Sequence, residues 1–224
     1  GSWLNNISNS SFSLSSKLGR GNIGFNMRHM GVSDLELRSN RPTDDPLATF
    51  SSSSFAAATS YSQTYGAITV GATIRYILIQ LYTENVSGMT FDGGITRAFG
   101  KNIDLGFSIL NTGFINNTDS YNPTLPLRFL SALSYQFPRS KWGHKICLSA
   151  EQSSLVDGII IRAASETKFE KFDLRFGTQT SKEVTVVSGG FGIQLGLLNF
   201  HYGIQIGSQH LGLPQMLDIS IKLP

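Results

Sequence analysis

The chain has 224 residues, a formal net charge of +3 and only 15% charged residues, against about 25% in an ordinary soluble domain. The deficit is made up by 23 glycines and by serine, threonine and asparagine, not by extra apolar residues, which stand at 40%; a surface in bulk water normally carries more lysine and glutamate. Scattered charges of both signs with no basic run give no basis for nucleic-acid binding, the single Cys147 excludes an internal disulfide framework and cysteine-rich zinc sites, and no run of 18 apolar residues offers a transmembrane helix.

The opening Gly1-Ser2-Trp3 has the look of a fusion scar, no signal peptide is visible, and the natural beginning of the polypeptide is expected upstream. From there on the hydrophobic period is two rather than 3.6. The pattern predicts strands at 9–18, 21–30, 52–62, 65–82, 87–99, 102–112, 126–137, 143–152, 157–165, 169–178, 184–196, 199–207 and 215–223. In 21–30, Ile23, Phe25 and Met27 oppose Asn22, Gly24, Asn26 and Arg28. In 102–112, Ile103, Leu105, Phe107 and Ile109 oppose Asp104, Gly106 and Ser108. Strands 169–178, 199–207 and 215–223 alternate as cleanly. The stretch "IRYILIQLY" (74–82) is apolar on both parities and is expected to mark a thickening or bend.

These segments are mostly about nine to eleven residues long, the length a tilted strand needs to cross a bilayer, whereas globular strands average about five to six. The gaps between them alternate. "LGRG", "TYG", "FGKN" and "LLN" are tight, with "FPRSKWG" and "SETK" somewhat longer, while 31–51, 113–125 and 208–214 are long and the gaps near 83–86, 153–156 and 179–183 are modest. Short turns at one rim and longer loops at the other are the habit of outer-membrane barrels. The fold class expected is therefore all-β, a transmembrane antiparallel up-and-down β-barrel forming a single domain over 1–224, with about thirteen strands visible. Bacterial single-chain barrels have even strand numbers, so at least one more strand, giving about fourteen, is expected upstream of Trp3; the alternative is an open or rearranged barrel in this chain.

The polar parity carries Arg28, Arg75, Asp92, Asp104, Arg128, Lys145, Arg162, Lys171, Asp173, Arg175, Asp218 and Lys222, and the other parity carries almost no charge. Charges facing lipid near mid-membrane cost about 2–4 kcal/mol each. The polar parity is therefore expected to line a lumen and the apolar parity to face lipid; a soluble barrel with a dry core is the competing arrangement. Tyr65, Tyr82, Phe99, Tyr121, Phe137 and Trp142, near strand ends, are expected at the membrane interfaces.

The stretches "YGAITVGATIRYI" and "SGMTFDGGITRAFGKNIDLGFSILNTG", with Ser87, Gly88, Phe91, Asp92, Gly100, Lys101, Asn102, Leu105, Gly106, Asn111 and Gly113 in order, resemble the PorV/PorQ-type outer-membrane barrels and their FadL-like relatives, including the FadL-like proteins of treponemes. The tail "GGFGIQLGLLNFHYGIQIGSQHLGLPQMLDISIKL" is similar to that group's last two hairpins, and the likeness spans about Trp3 to Leu223. The resemblance implies either passage of long-chain fatty acids and other hydrophobic molecules, or shuttling of cargo for a secretion system. Two departures are the missing Asn-Pro-Ala-Gly segment with its N-terminal hatch, and an end at Leu223-Pro224 where such barrels commonly carry an aromatic residue.

Chemistry is expected to be absent. His29, Asp34, Asp44 and Asp45 sit together in sequence but read as an ordinary solvated loop, His201 reads as a lumen residue in contact with water, and no His/Cys/Asp spacing suits a metal. "GRGNIG" (19–24) leads into a strand, not a helix, and so cannot act as a phosphate loop. The candidate ligand-binding residues are Arg75, Asp92, Arg128, Arg162 and Arg175. Their guanidinium groups suit a carboxylate head group, and the alternative is that they pair with Asp92, Asp104 and Asp173 to brace the interior. The expected function is an outer-membrane channel for fatty acids or other hydrophobic small molecules, with no cofactor. Its expected partners are membrane lipid and the transported molecule. The alternative is a shuttle or adaptor that grips a secretion-system or surface protein through residues 31–51 or 114–125.

Overall fold

The computed structural model describes residues 2–3, 7–38, 44–81, 84–116, 123–138, 142–208 and 212–222. They form β1 (Ser2–Trp3), β2 (Ile7–Leu18), β3 (Gly21–Leu37), β4 (Ala48–Tyr65), β5 (Ile68–Leu81), β6 (Glu84–Phe99), β7 (Ile103–Ile115), β8 (Arg128–Gln136), β9 (Gly143–Ser153), β10 (Val156–Phe169), β11 (Phe172–Thr180), β12 (Thr185–Leu195), β13 (Leu198–Gly207) and β14 (Gln215–Ile221), with no helix among the described residues. Every long strand pairs antiparallel with its neighbour in sequence, from β2 to β14. All thirteen expected strands are present. The two-residue β1 had no sequence signal, because a segment that short shows no period.

The strand order returns on itself through β1. Ser2 pairs with Gln215 of β14 and with Ser8 of β2, and Trp3 pairs with Ile7. β2 and β14 consequently run parallel to each other, as thirteen antiparallel long strands require. Beyond Ile7, Ser8 and Gln215, no residue on the facing edges of β2 and β14 has a ladder partner there among the described residues.

The turns at one rim are tight: two residues after β2, β4, β10 and β12, three after β6 and six after β8. Gly66 and Gly196 open two of the two-residue turns at φ 61° and 63°. There a β-carbon would be strained, and the primed hairpin turns that match strand twist need this backbone. At the other rim the connections are ten residues after β3, twelve after β7 and seven after β13, but four after β11 and only two after β5 and β9. β3 to β6 run 14 to 18 residues, longer than a crossing needs; register shifts at Val32/Leu35 and Phe91/Gly93 fall in the long-loop halves of β3 and β6, and a third, at Val156/Ile159, falls at the long-loop end of β10.

There is no apolar core of the ordinary kind. The only buried apolar side chains among the described residues are Ala58, Val86 and Ile160. The apolar parity is instead open: Phe107 is 53% exposed, Phe172 56% and Ile206 58%. In water such a continuous coat would be an aggregation surface; against lipid it is the stable arrangement, since from β2 to β14 each strand pairs its backbone groups with its neighbours in the sheet. The opposite parity faces inward. Arg28 of β3 and Lys145 of β9, on separate parts of the wall, border one cavity of about 1050 Å³ together with Arg175 and Gln205. These features define a transmembrane β-barrel of the outer-membrane type.

"IRYILIQLY" also resolves into two faces. Ile74, Tyr76 and Leu78 are exposed, while Ile77 and Ile79 pair with Gly88 and Val86 on the inward side. Val86 and Thr90 are fully buried there. β6 and β7 approach so closely that a β-carbon at Gly88 would lie 2.5 Å from the Phe114 carbonyl oxygen. The local excess of apolar residues thus serves a thickened inner wall near the long-loop rim. Tyr65, Phe99, Phe137 and Trp142 are exposed at the tight-turn rim, as interfacial aromatics are. Tyr82 and Tyr121 lie outside the described residues.

Candidate functional site

Parity and strand length together place the charged lumen residues at two heights. Arg28, Arg75, Asp92, Arg128, Glu151 and Arg162 each stand seven or eight residues along their strands from the tight-turn end. Glu166, Asp173, Arg175, His201 and Asp218 stand one to three residues from it.

At the upper level Glu151 of β9 is held by two arginines. The Arg128 guanidinium donates to both of its oxygens, with Nη2 2.8 Å from Oε2, and Arg162 Nη1 donates to Oε2 at 2.7 Å. Arg162 Nε also donates to Gln179 Oε1 at 2.7 Å. The register explains the cluster: Glu151 faces Ile160 on β10 and Leu130 on β8, so arginines two positions along each neighbouring strand converge on it from both sides. Two-pronged guanidinium–carboxylate contacts are strong and orienting.

Beside it, Arg75 Nη2 donates to Asp92 Oδ2 at 2.8 Å and Arg75 Nη1 to Asn111 Oδ1 at 3.2 Å. Asp92 lies at the register shift between β6 and β7, where Asn111 takes a left-handed φ of 61°. Its other oxygen accepts the Asn111 backbone N–H at 2.7 Å. Asp92 therefore both anchors an arginine and satisfies an amide that the bulge removes from the ladder.

At the lower level Arg175 Nε lies 2.9 Å from Asp173 Oδ1 and 3.1 Å from Glu166 Oε1. Asp173, Gly192, His201 and Asp218 form one cross-strand row. With no side chain at Gly192, Asp173 and His201 reach across it to 3.7 Å. Gly177, Gly190 and Gly203 recess the same inner wall.

The structure thus separates the residues singled out in the sequence. Arg75, Asp92, Arg128 and Arg162 share the upper level, and Arg175 sits apart at the lower one. Of the pairings expected, Arg75 with Asp92 and Arg175 with Asp173 form. Asp104 accepts from Ser134 Oγ at 3.2 Å instead, and Arg128 and Arg162 turn to Glu151. Glu151 was missed although its signal was available: it shares the parity of Lys145, Cys147 and Ser149 on one strand. No group of three or more His, Cys, Asp or Glu is gathered for a metal among the described residues.

No family model matches the chain, and no curated protein matches it. Among solved structures it is similar to engineered mutants of a porin from Rhodopseudomonas blastica. One triple mutant of that porin overlaps with a TM-score of 0.45 at 10% identity, over 96% of this chain and 98% of that one. A second triple mutant gives 0.44 at the same identity and coverage. Overlap this loose is no basis for function, and the membrane assignment stands on the wall's own inversion.

Proposed function

We propose that this chain is an outer-membrane channel admitting hydrophobic small molecules that carry an acidic head group, long-chain fatty acids among them, as FadL-like barrels do. The supporting observation is the cavity of about 1050 Å³ bordered by residues of β2, β3 and β9 to β14, with Arg28, Lys145 and Arg175 on its wall. Arg75, Arg128 and Arg162, with Asp92 fixing the first and Arg175 below, offer guanidinium groups to a carboxylate. The inward Ile77 and Ile79 beside Arg75 offer an apolar surface to a chain. No side-chain constellation for catalysis enters this reading.

The test is uptake of labelled long-chain fatty acid by outer-membrane vesicles carrying the protein, against vesicles without it. Faster uptake supports the reading, and equal uptake sinks it. A second reading is a shuttle barrel of a secretion system. It is favoured by the ten- and twelve-residue connections at the same rim, and a protein co-purifying through residues 31–51 or 114–125, in the absence of uptake, selects it.

A further inference from the structure

The two charged levels of the lumen differ in balance and in what they show to the cavity. Within the strands at the lower level, Lys17, Lys145, Lys168 and Arg175 are matched by Asp104, Glu166, Asp173 and Asp218. At the upper level Arg28, Arg75, Arg128 and Arg162 face only Asp92 and Glu151. The two carboxylates are also covered: Glu151 is 3% exposed and Asp92 9%, while Arg75, Arg128 and Arg162 keep 30–33% of their side chains open. Arg28 is exposed and has no ion-pair partner among the described residues. Between the levels the inward positions are small and neutral, as at Thr73, Gly94, Ser108, Ala164 and Gly190. A solute passing the upper level therefore meets guanidinium groups, with the compensating carboxylates behind them.

We propose that this arginine level is a charge filter that makes the channel prefer small anions to cations. The proposal rests on the channel reading and adds a sign to it. Fixed rings of one charge set ion preference in narrow water-filled passages, because low-dielectric walls focus their field. The lower level, being balanced, contributes little to the preference. The filter belongs to the lumen rather than to the protein's overall charge, so the preference should follow lumen charges and not lipid-facing ones; screening, which shortens the field's reach from about 10 Å at 0.1 M to about 3 Å at 1 M, should weaken it.

The experiment is reversal potential across a planar lipid bilayer under a potassium chloride gradient. The folded barrel should show chloride preference at low salt that shrinks at 1 M. Arg28→Gln removes one exposed charge without breaking a pair, and the chloride-to-potassium ratio should fall about twofold; Arg28→Glu should bring it near unity. Arg97→Gln makes the same charge change on the lipid-facing parity, where Arg97 lies 4.9 Å from the Phe99 ring, and should leave the ratio unchanged. Cation preference or no preference in the parent, or an equal response to Arg28→Gln and Arg97→Gln, overturns the filter and leaves the channel standing. No conductance from inserted, heat-modifiable protein overturns the channel, and the filter with it.

Discussion

The outer and inner faces of this wall are made by alternate residues of the same strands, yet they are specified differently. Outside, at Phe107, Phe172 and Ile206, a side chain has lipid beside it and few partners to fit; it needs only to be apolar. Inside, Glu151 has two arginines and Asp92 has an arginine and a backbone amide, each with its own geometry. The outer face tolerates change of shape but not of polarity, whereas the inner face tolerates change of polarity where the wall is open but not where it is networked.

The largest effect comes from adjacent residues on the two faces. Phe107→Arg places a guanidinium against lipid and should cost about 2–4 kcal/mol near mid-membrane. Ser108→Arg, one residue on, points it into the lumen and should cost less than about 1 kcal/mol. Urea unfolding in lipid vesicles, followed by tryptophan emission, measures both. Equal costs would abolish the distinction between the faces.

Within the lumen, Glu151→Gln keeps the shape but withdraws the charge from between Arg128 and Arg162. Two guanidinium groups are then left opposed with weaker acceptors, and the loss should be about 2–3 kcal/mol in the same measurement. Asp104→Asn, whose bond is to a hydroxyl at 3.2 Å in an exposed position, should cost less than about 1 kcal/mol.

The same asymmetry decides what could be read from the sequence. The strands were legible because one face per strand is uniformly apolar, and uniformity is what period-two pattern detects. Ile103, Leu105, Phe107 and Ile109 needed no knowledge of their neighbours. The inner network was legible only as a list of charges, because the partner of Arg128 is set by register between β8 and β9, which no single strand encodes. Glu151 therefore took the arginine-pairing role expected of Asp104. The greasy stretch 74–82 was ambiguous in sequence because its inward isoleucines meet Gly88 and Val86, residues on the next strand. β1 was invisible, since its two residues have meaning only between the edges of β2 and β14.

The smallest effect separates two glycines on the inner face of β12. A β-carbon at Gly190 would lie 2.7 Å from the Tyr202 carbonyl oxygen, part of the neighbouring ladder. Backbone cannot move there without stretching the β12–β13 pairing, so Gly190→Ala should cost about 1–3 kcal/mol. At Gly192 the same atom would collide with Asp173 Oδ2 and His201 Nδ1. These are ends of side chains beside open lumen, and both can rotate away into it. Gly192→Ala should therefore cost less than about 1 kcal/mol while separating Asp173 from His201. The histidine ring proton signals in detergent-solubilised protein would register that separation, as a changed shift for His201 with the unfolding midpoint nearly unmoved. A large loss of stability at Gly192 instead would mean that the Asp173–His201 row is packed against something rigid, and that the lower lumen is closed rather than open.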